Sequence, residues 1–390
     1  MGTISNAVAN RQQHTVAVER AADYRPETIR AALTRLLEPF GGMPAIVRPG
    51  ERVLLKPNML AAKAPERAVT TNPAVLQAVI ELVQAAGGVA LVGDSPGVGS
   101  GRRVAEKSGL LTVIEATGAE LVEFTESLEV PGEGLFKRFK LARPYLEADK
   151  LINLPKLKTH EMMTMTCAVK NLFGAVVGTG KAAWHLQAGA DRELFARMLL
   201  EIYQLRQPDL TIVDAVVGME GNGPGSGDPR PIGLLLGGTN ALAVDVIAGE
   251  LLGIPRKLLW TERAAERLGL DGWDRRTIAT VGLSVAEGRV ADFQLPHLSD
   301  VQFGLPRFLK NRLRHYLTAR PAADPAACRL CGICRDACPP QAIEIKDGTL
   351  QFDYHRCIRC FCCRELCPDG ALQVRDGILL KLLKKMHNEI

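Results

Sequence analysis

No stretch of this sequence approaches the roughly 18 consecutive apolar residues of a membrane-spanning helix, so none is expected. The first 19 residues, MGTISNAVANRQQHTVAVE, hold no basic cluster followed by an apolar core, and a secretory signal is not expected either. The N-terminal acylation pattern fails because position 6 is Asn6 instead of Ser or Thr. Aromatic residues make up only 5% of the chain, and no aromatic-rich motif accompanies its basic stretches, which argues against a nucleic-acid partner. Two phosphate-binding motifs are approached and missed. Gly174 to Lys181 (GAVVGTGK) has Ala175 where a Walker loop needs its first glycine, and Ala182 where Ser or Thr would hold magnesium. Gly97 and Gly99 follow an apolar run, but Arg102 stands where the third glycine of a dinucleotide fingerprint would be.

What the chain does have is cysteine concentrated in one place. Nine of its ten cysteines lie from Cys328 to Cys367, in two runs reading CRLCGICRDACP and CIRCFCCRELCP. Moving the second run back 29 residues lays Cys357, Cys360, Cys363 and Cys367 on Cys328, Cys331, Cys334 and Cys338, and Pro368 on Pro339. Ala371 then falls on Ala342, and Asp376-Gly377 on Asp347-Gly348. These are not the spacings of a small secreted disulfide scaffold, and two equal four-cysteine copies match zinc knuckles poorly. Iron in a cluster is soft and prefers thiolates. A loop with cysteine at every third position can aim three sulfurs at one cubane. The run resembles that of bacterial two-cluster ferredoxins, in which the fourth cysteine of each run ligates the other cluster. That resemblance implies two 4Fe-4S clusters, one on Cys328, Cys331, Cys334 and Cys367, the other on Cys357, Cys360, Cys363 and Cys338. Cys362 is read as a neighbour of the second cluster. Thiols and clusters fit a reducing, cytoplasmic setting.

The 390 residues, 47% hydrophobic and 23% charged, suffice for one large core and a small module. Strand-like and helix-like segments alternate. His14–Ala21 reads as a strand, Arg25–Phe40 as a helix and Glu51–Leu55 as a buried strand. A helix opens at Asn72-Pro73, and Val89–Val92 and Lys150–Leu154 read as strands. Ala190–Arg206 reads as a helix, Leu210–Val213 and Ile232–Leu236 as strands, and Ala241–Leu252 as a helix. The expected fold is α/β, a mostly parallel sheet flanked by helices, followed by a two-cluster ferredoxin-like α+β module. The expected organisation is a flexible tail over 1–14, the α/β domain over 15–295, a basic amphipathic linker helix over 296–325, the cluster module over 326–376 and a basic tail over 377–390. The linker carries Arg307, Lys310, Arg312, Arg314 and Arg320, without an acid from Phe303 to Arg320. It reads as a connector packed on both domains. The alternative is a docking face for an acidic electron-transfer protein of ferredoxin or flavodoxin type, or for the surface of an anionic membrane.

In an open α/β sheet, ligands bind beyond the carboxyl ends of the strands. Polar motifs follow several expected strands here: Lys56 and Asn58, then Asp94 and Ser95, then a long segment with Lys156, Lys158, Thr159, His160, Lys170 and Asn171, and finally a glycine-rich loop from Asp214 with Glu220 and Asn222. Lysines at such an edge favour an anionic ligand. Burial would bring Lys158 toward proton-donor range, and the histidine pKa of about 6.5 already puts His160 there.

In combination, KPN at Lys56, GDSPG at Gly93, PKLKTH at Lys156, VKNLFG at Lys170 and DAVVGMEGNGP at Asp214 resemble the domain of unknown function 362 family, over roughly residues 15–295. Members often carry a two-cluster ferredoxin module at the carboxyl end. The resemblance implies this architecture and a candidate site, with no settled reaction. The expected function is an iron–sulfur oxidoreductase that relays low-potential electrons to a small organic substrate on the α/β domain, in a reduction such as that of an activated double bond. Lys158 or His160 would supply protons. The competing reading is an electron carrier or scaffold whose α/β domain binds a partner protein.

Overall fold

A computed structural model describes residues 13–296 and 319–375, apart from Val98, Thr179 and Ala190. The larger unit is built on strands β1 (His14–Arg20), β2 (Arg52–Pro57), β3 (Val89–Val92), β4 (Glu120–Leu121), β5 (Ser127–Pro131), β6 (Arg138–Ala142), β7 (Lys150–Leu154), β8 (Lys156–His160), β9 (Thr164–Thr166), β10 (Leu210–Glu220), β11 (Asp228–Gly238) and β12 (Ile278–Gly282). Ten of them form one sheet in the order β12-β1-β11-β10-β7-β2-β3-β4, with β8 branching from β10 and β9 from β8. The pairs β10–β7, β7–β2, β2–β3 and β3–β4 are parallel, and β11 is an antiparallel insertion between β1 and β10. The mostly parallel α/β fold is therefore as expected.

The apolar pattern explains the layering. Central strands such as β2 (RVLLKP) are apolar on both faces, as strands covered on both sides must be. Val53 and Leu55 enter one core with Ile152, Leu154 and Ile212, while Leu54 enters the opposite core with Leu151 and Val213. Helix Pro73–Ala85 covers the first of these faces. The Asn72 side chain caps it by accepting from the Ala74 amide, and Val75, Leu76, Val79, Ile80 and Val83 are its buried stripe.

Several expectations need correction. Lys156–His160 is a fully buried strand rather than a polar loop. Asp214–Arg230 is largely strand as well, since β10 runs on to Glu220 and β11 begins at Asp228. Charge hid the first strand, because buried partners absorb it, and glycine content hid the second. The expected linker helix ends too late. Arg320 opens strand β13 (Arg320–Ala323), so the cysteine module starts there rather than at residue 326. The rest of the basic stretch, with Arg307, Lys310, Arg312 and Arg314, lies outside the described residues, as do the tails over 1–12 and 376–390.

The module pairs β13 with β16 (Leu372–Arg375), and β14 (Ile343–Lys346) with β15 (Thr349–Phe352). One-turn helices Ile333–Asp336 and Cys362–Glu365 carry the two halves of the repeat. The second docks on the α/β domain. Arg364 pairs with Glu161, both buried, and His160 Nε2 stands 3.0 Å from Glu365 Oε1. Gly225 lies so close to this helix that a Cβ there would sit 2.3 Å from the Glu365 carbonyl oxygen. Gly225→Ala should therefore loosen the docking. Amide hydrogen exchange should accelerate at Glu365–Cys367 and Thr159–Met163, while Val53–Leu55 at the sheet centre keep their protection.

Candidate functional site

The carboxyl ends of β2, β3 and β7 open onto a floor of interlocked polar side chains. Lys56 Nζ stands 2.7 Å from Asp94 Oδ1 and donates to the Asn171 carbonyl at 2.6 Å. The other Asp94 oxygen accepts from the Met59 amide. Asn171 donates to Asn153 Oδ1 and accepts from Asn58 Nδ2, each at 2.9 Å. Asn58 Oδ1 in turn accepts from Lys158 Nζ at 3.0 Å. Glycine is required at Gly174, where a Cβ would fall 1.9 Å from Asp94 Oδ1 and 2.4 Å from Lys56 Nζ. The KPN, GDSPG, PKLKTH and VKNLFG motifs thus converge on one network.

Above this floor is a cavity of about 680 Å³, within the range of small-molecule sites. The glycine-rich segment from Asp94 to Gly101 forms one wall, and Lys158, Lys170, Asn171, Phe173 and Lys181 contribute to others. The far wall belongs to the cysteine module and reproduces its duplication. Ile333, Asp336 and Ala337 of the first half line it together with their repeat counterparts Cys362, Glu365 and Leu366.

The ionisable groups are strongly perturbed. Burial, reinforced by Lys170 and Lys156, brings the Lys158 ammonium down to about 7. Burial likewise lowers Lys181 to about 7, and its ammonium donates to the Ser95 and Pro96 carbonyls. Lys170 and Lys56 are also lowered by burial. His160 is held differently from the sequence expectation. Its Nδ1 accepts from the Met162 and Met163 amides at 3.1 and 3.2 Å, which leaves its proton on Nε2, facing Glu365. Burial lowers its pKa to about 4, so it is neutral at pH 7 and positions Glu365 instead of donating protons. Burial by itself would raise the Glu365 carboxyl, but His160, Lys170 and His185 outweigh it and hold it at about 2.

Of the residues singled out from sequence, Asn58, Asp94, Ser95, Lys158, Lys170 and Asn171 line the cavity. Lys56 braces Asp94 from behind, and His160 braces Glu365. Four others lie elsewhere. Lys156 donates to Asp214 Oδ2 and to Tyr24 Oη in a buried triad. Thr159 accepts from the Gly223 amide. Glu220 accepts from the Gln294 amide and faces Arg230, and Asn222 is exposed. Sequence reasoning missed Lys181, His185, Phe173 and Glu365. In the sequence Lys181 stands out only as the end of a failed Walker loop, and Glu365 lies inside the second cysteine run with nothing to mark it.

The cysteines divide into two groups. Cys328, Cys331, Cys334 and Cys367 surround a void of about 20 Å³. Cys338 lies within electrostatic reach of Cys357 and Cys360, and Cys363 within reach of all three. Cys367 thus lies with the first three cysteines of the first run, and Cys338 close to those of the second. Left-handed backbone at Leu330 and Gly332, and at their counterparts Arg359 and Phe361, wraps the two loops alike. The Ala342 and Ala371 amides donate to Cys338 Sγ and Cys367 Sγ, each at 3.2 Å. These donor sets fit four-iron clusters.

The domain of unknown function 362 family model matches residues 53–250, and a 4Fe-4S dicluster domain model matches residues 320–368. A thylakoid-associated protein, sll1697, from Synechocystis sp. (strain ATCC 27184 / PCC 6803 / Kazusa) is 42% identical over 306 residues, covering 77% of this chain and 94% of the relative. The chain belongs to the domain of unknown function 362 family. Its α/β domain carries that family's matched region, and its carboxyl module is an iron–sulfur, ferredoxin-like unit suited to electron transfer. Two solved structures are weakly similar. One is the lactate racemase apoprotein from Thermoanaerobacterium thermosaccharolyticum, at 12% identity and TM-score 0.41, with 63% of this chain and 58% of the other covered. The other is a structural-genomics protein from Thermotoga maritima, at 15% identity and TM-score 0.39, with 60% of each chain covered. The chain thus spans less than two thirds of either. Among the described residues of this family member, no helix is long and apolar enough to cross a membrane.

The Lys156–Asp214–Tyr24 triad allows a stability test. Asp214→Ala strands a buried ammonium, and chemical denaturation should show a loss of about 3–5 kcal/mol. Glu220→Ala, at a partly buried strand end, should cost far less.

Proposed function

We propose that this chain is an iron–sulfur oxidoreductase that reduces a small organic substrate held in the cavity between the α/β domain and the cysteine module. The observation that carries this reading is the shared wall. Cys362 and Glu365, from the loop of the second cysteine group, line the cavity that also contains Lys158. A carrier or scaffold would call for a flat partner-binding face. A concave, largely apolar cavity with a few convergent polar groups is what a small-molecule enzyme needs.

Cys328, Cys331, Cys334 and Cys367 would hold one 4Fe-4S cluster, and Cys357, Cys360, Cys363 and Cys338 the other. When bound, such clusters supply single-electron transfer. Reduction of an activated carbon–carbon double bond consumes two electrons and two protons and leaves a saturated CH–CH unit. The electrons come from an external reduced protein of ferredoxin or flavodoxin type. One proton comes from the Lys158 ammonium, which burial keeps near neutrality, and the other from solvent at the cavity mouth. Lys158 is held in place by Asn58 Oδ1 and the Val69 carbonyl. The reducing, cytoplasm-like setting expected from the cysteines and the thylakoid association named for the Synechocystis relative are compatible with a chain that works beside a membrane. The basic stretch before the module would supply the contact.

Anaerobically reconstituted protein should contain about eight iron and eight sulfide per chain. Zinc instead of iron, or about four iron, would remove the assignment. Cys328→Ser should impair one cluster more than the other, and Cys362→Ser should leave the iron count unchanged. Lys158→Met should abolish substrate reduction with both cluster spectra intact. In the wild-type chain, proton donation should fall as pH rises through about 7, where Lys158 loses its proton. Electron flux to the native acceptor that survives Lys158→Met would return the α/β domain to a partner-binding role.

A further inference from the structure

We propose that the cavity takes an organic acid with an apolar body and a single carboxylate, and that the Lys170 ammonium is the counter-ion of that carboxylate. The inference rests on the cavity assigned above and deepens that reading by naming the ligand class.

Three lysines reach the cavity, and two of them are engaged. Lys158 donates to Asn58 Oδ1 and the Val69 carbonyl, and Lys181 to the Ser95 and Pro96 carbonyls. Lys170 makes no hydrogen bond or close ion pair among the described residues. Glu365 and Cys362 act on it electrostatically, and burial lowers its pKa. Lys170 is partly buried and lines the cavity, so an anion entering there would meet an ammonium with no competing partner among the described residues. The chain's own buried carboxylates cannot serve. Asp94 is taken by Lys56 and the Met59 amide, and Glu365 by His160. Glu123 and Asp336, which also line the cavity, are exposed. A ligand carboxylate would supply the opposite charge.

The number of charges and the shape of the body follow from the same wall. Only Lys170 has all its donors open. A dianion such as a phosphate monoester would set its second charge near the Glu365 carboxyl group, which lines the same cavity and already meets His160 Nε2 at 3.0 Å. One negative charge is the better match. Leu60, Phe124, Phe173, Val177, Pro224 and Leu366 also line the cavity, and burying an apolar body against them is favourable.

The test uses the anaerobically reconstituted full chain and two matched pairs of probes: cinnamate with cinnamamide, and 3-(2-naphthyl)acrylate with its amide. In calorimetric titration at pH 7 at least one acid should bind about tenfold more tightly than its neutral amide. Lys170→Gln should erase that preference by weakening the acid and sparing the amide, while Lys170→Arg should preserve it. Both variants should keep the iron content and cluster absorption of the parent. Equal binding of acid and amide, no binding of either acid, or a preference that survives Lys170→Gln would overturn the proposal. Acid binding that leaves the reoxidation rate of the reduced protein unchanged would instead sink the reductase reading and leave the ligand class standing.

Discussion

The cavity floor depends on one buried ion pair, Lys56 with Asp94. Both side chains are almost fully removed from water, where two charges are tolerated only if they meet each other and their remaining hydrogen bonds are made. They meet at 2.7 Å, and the Asn171 carbonyl and Met59 amide take up their other capacities. The pair holds the end of β2 against the loop after β3, and it draws in the Asn171 segment from a third part of the chain. Gly174 is small because this pair fills the space a side chain would occupy. With the floor fixed, Asn58 and Lys158 are fixed above it.

The cysteine module forms one wall of the cavity. Arg364 with Glu161 and His160 with Glu365 join the second half of the repeat to the β8–β9 hairpin. Because the module is duplicated, its two short helices offer equivalent residues to the cavity: Ile333 and Cys362, Asp336 and Glu365, Ala337 and Leu366. The differences between the copies have consequences. At the second position Asp336 is exposed, whereas Glu365 is largely buried and tied to His160. Divergence within the repeat has turned one copy into the docking surface while the other reaches the rim.

The lysines of the site share one physical state. Burial lowers the pKa of each, and the arrangement of partners decides what each can do. Lys56 and Lys156 have carboxylates and are structural. Lys158 and Lys181 face carbonyl or amide oxygens, which hold an ammonium in place without neutralising it, and both fall near 7. A lysine of this second kind can give up a proton at physiological pH, because its neutral form is nearly as well accommodated as its charged form.

The cysteine spacing determined the module by local geometry alone. Loops with cysteine at every third position and a proline after each fourth cysteine are short-range features that a sequence displays directly. The alternation of apolar runs with helical segments likewise determined the α/β class, and Asn72 and Asn240 cap the helices they precede. The sequence also marked Asn58, Asp94, Lys158 and Asn171 as polar residues near strand ends. It could not tell Lys158 from Lys156, two residues apart on one buried strand, because their difference lies in partners 100 and 58 residues away. Nor could it set Glu365 beside His160, since that contact exists only once the module is docked. Pairing of buried charges is a long-range, tertiary choice, and that choice assigned these residues to scaffold or cavity.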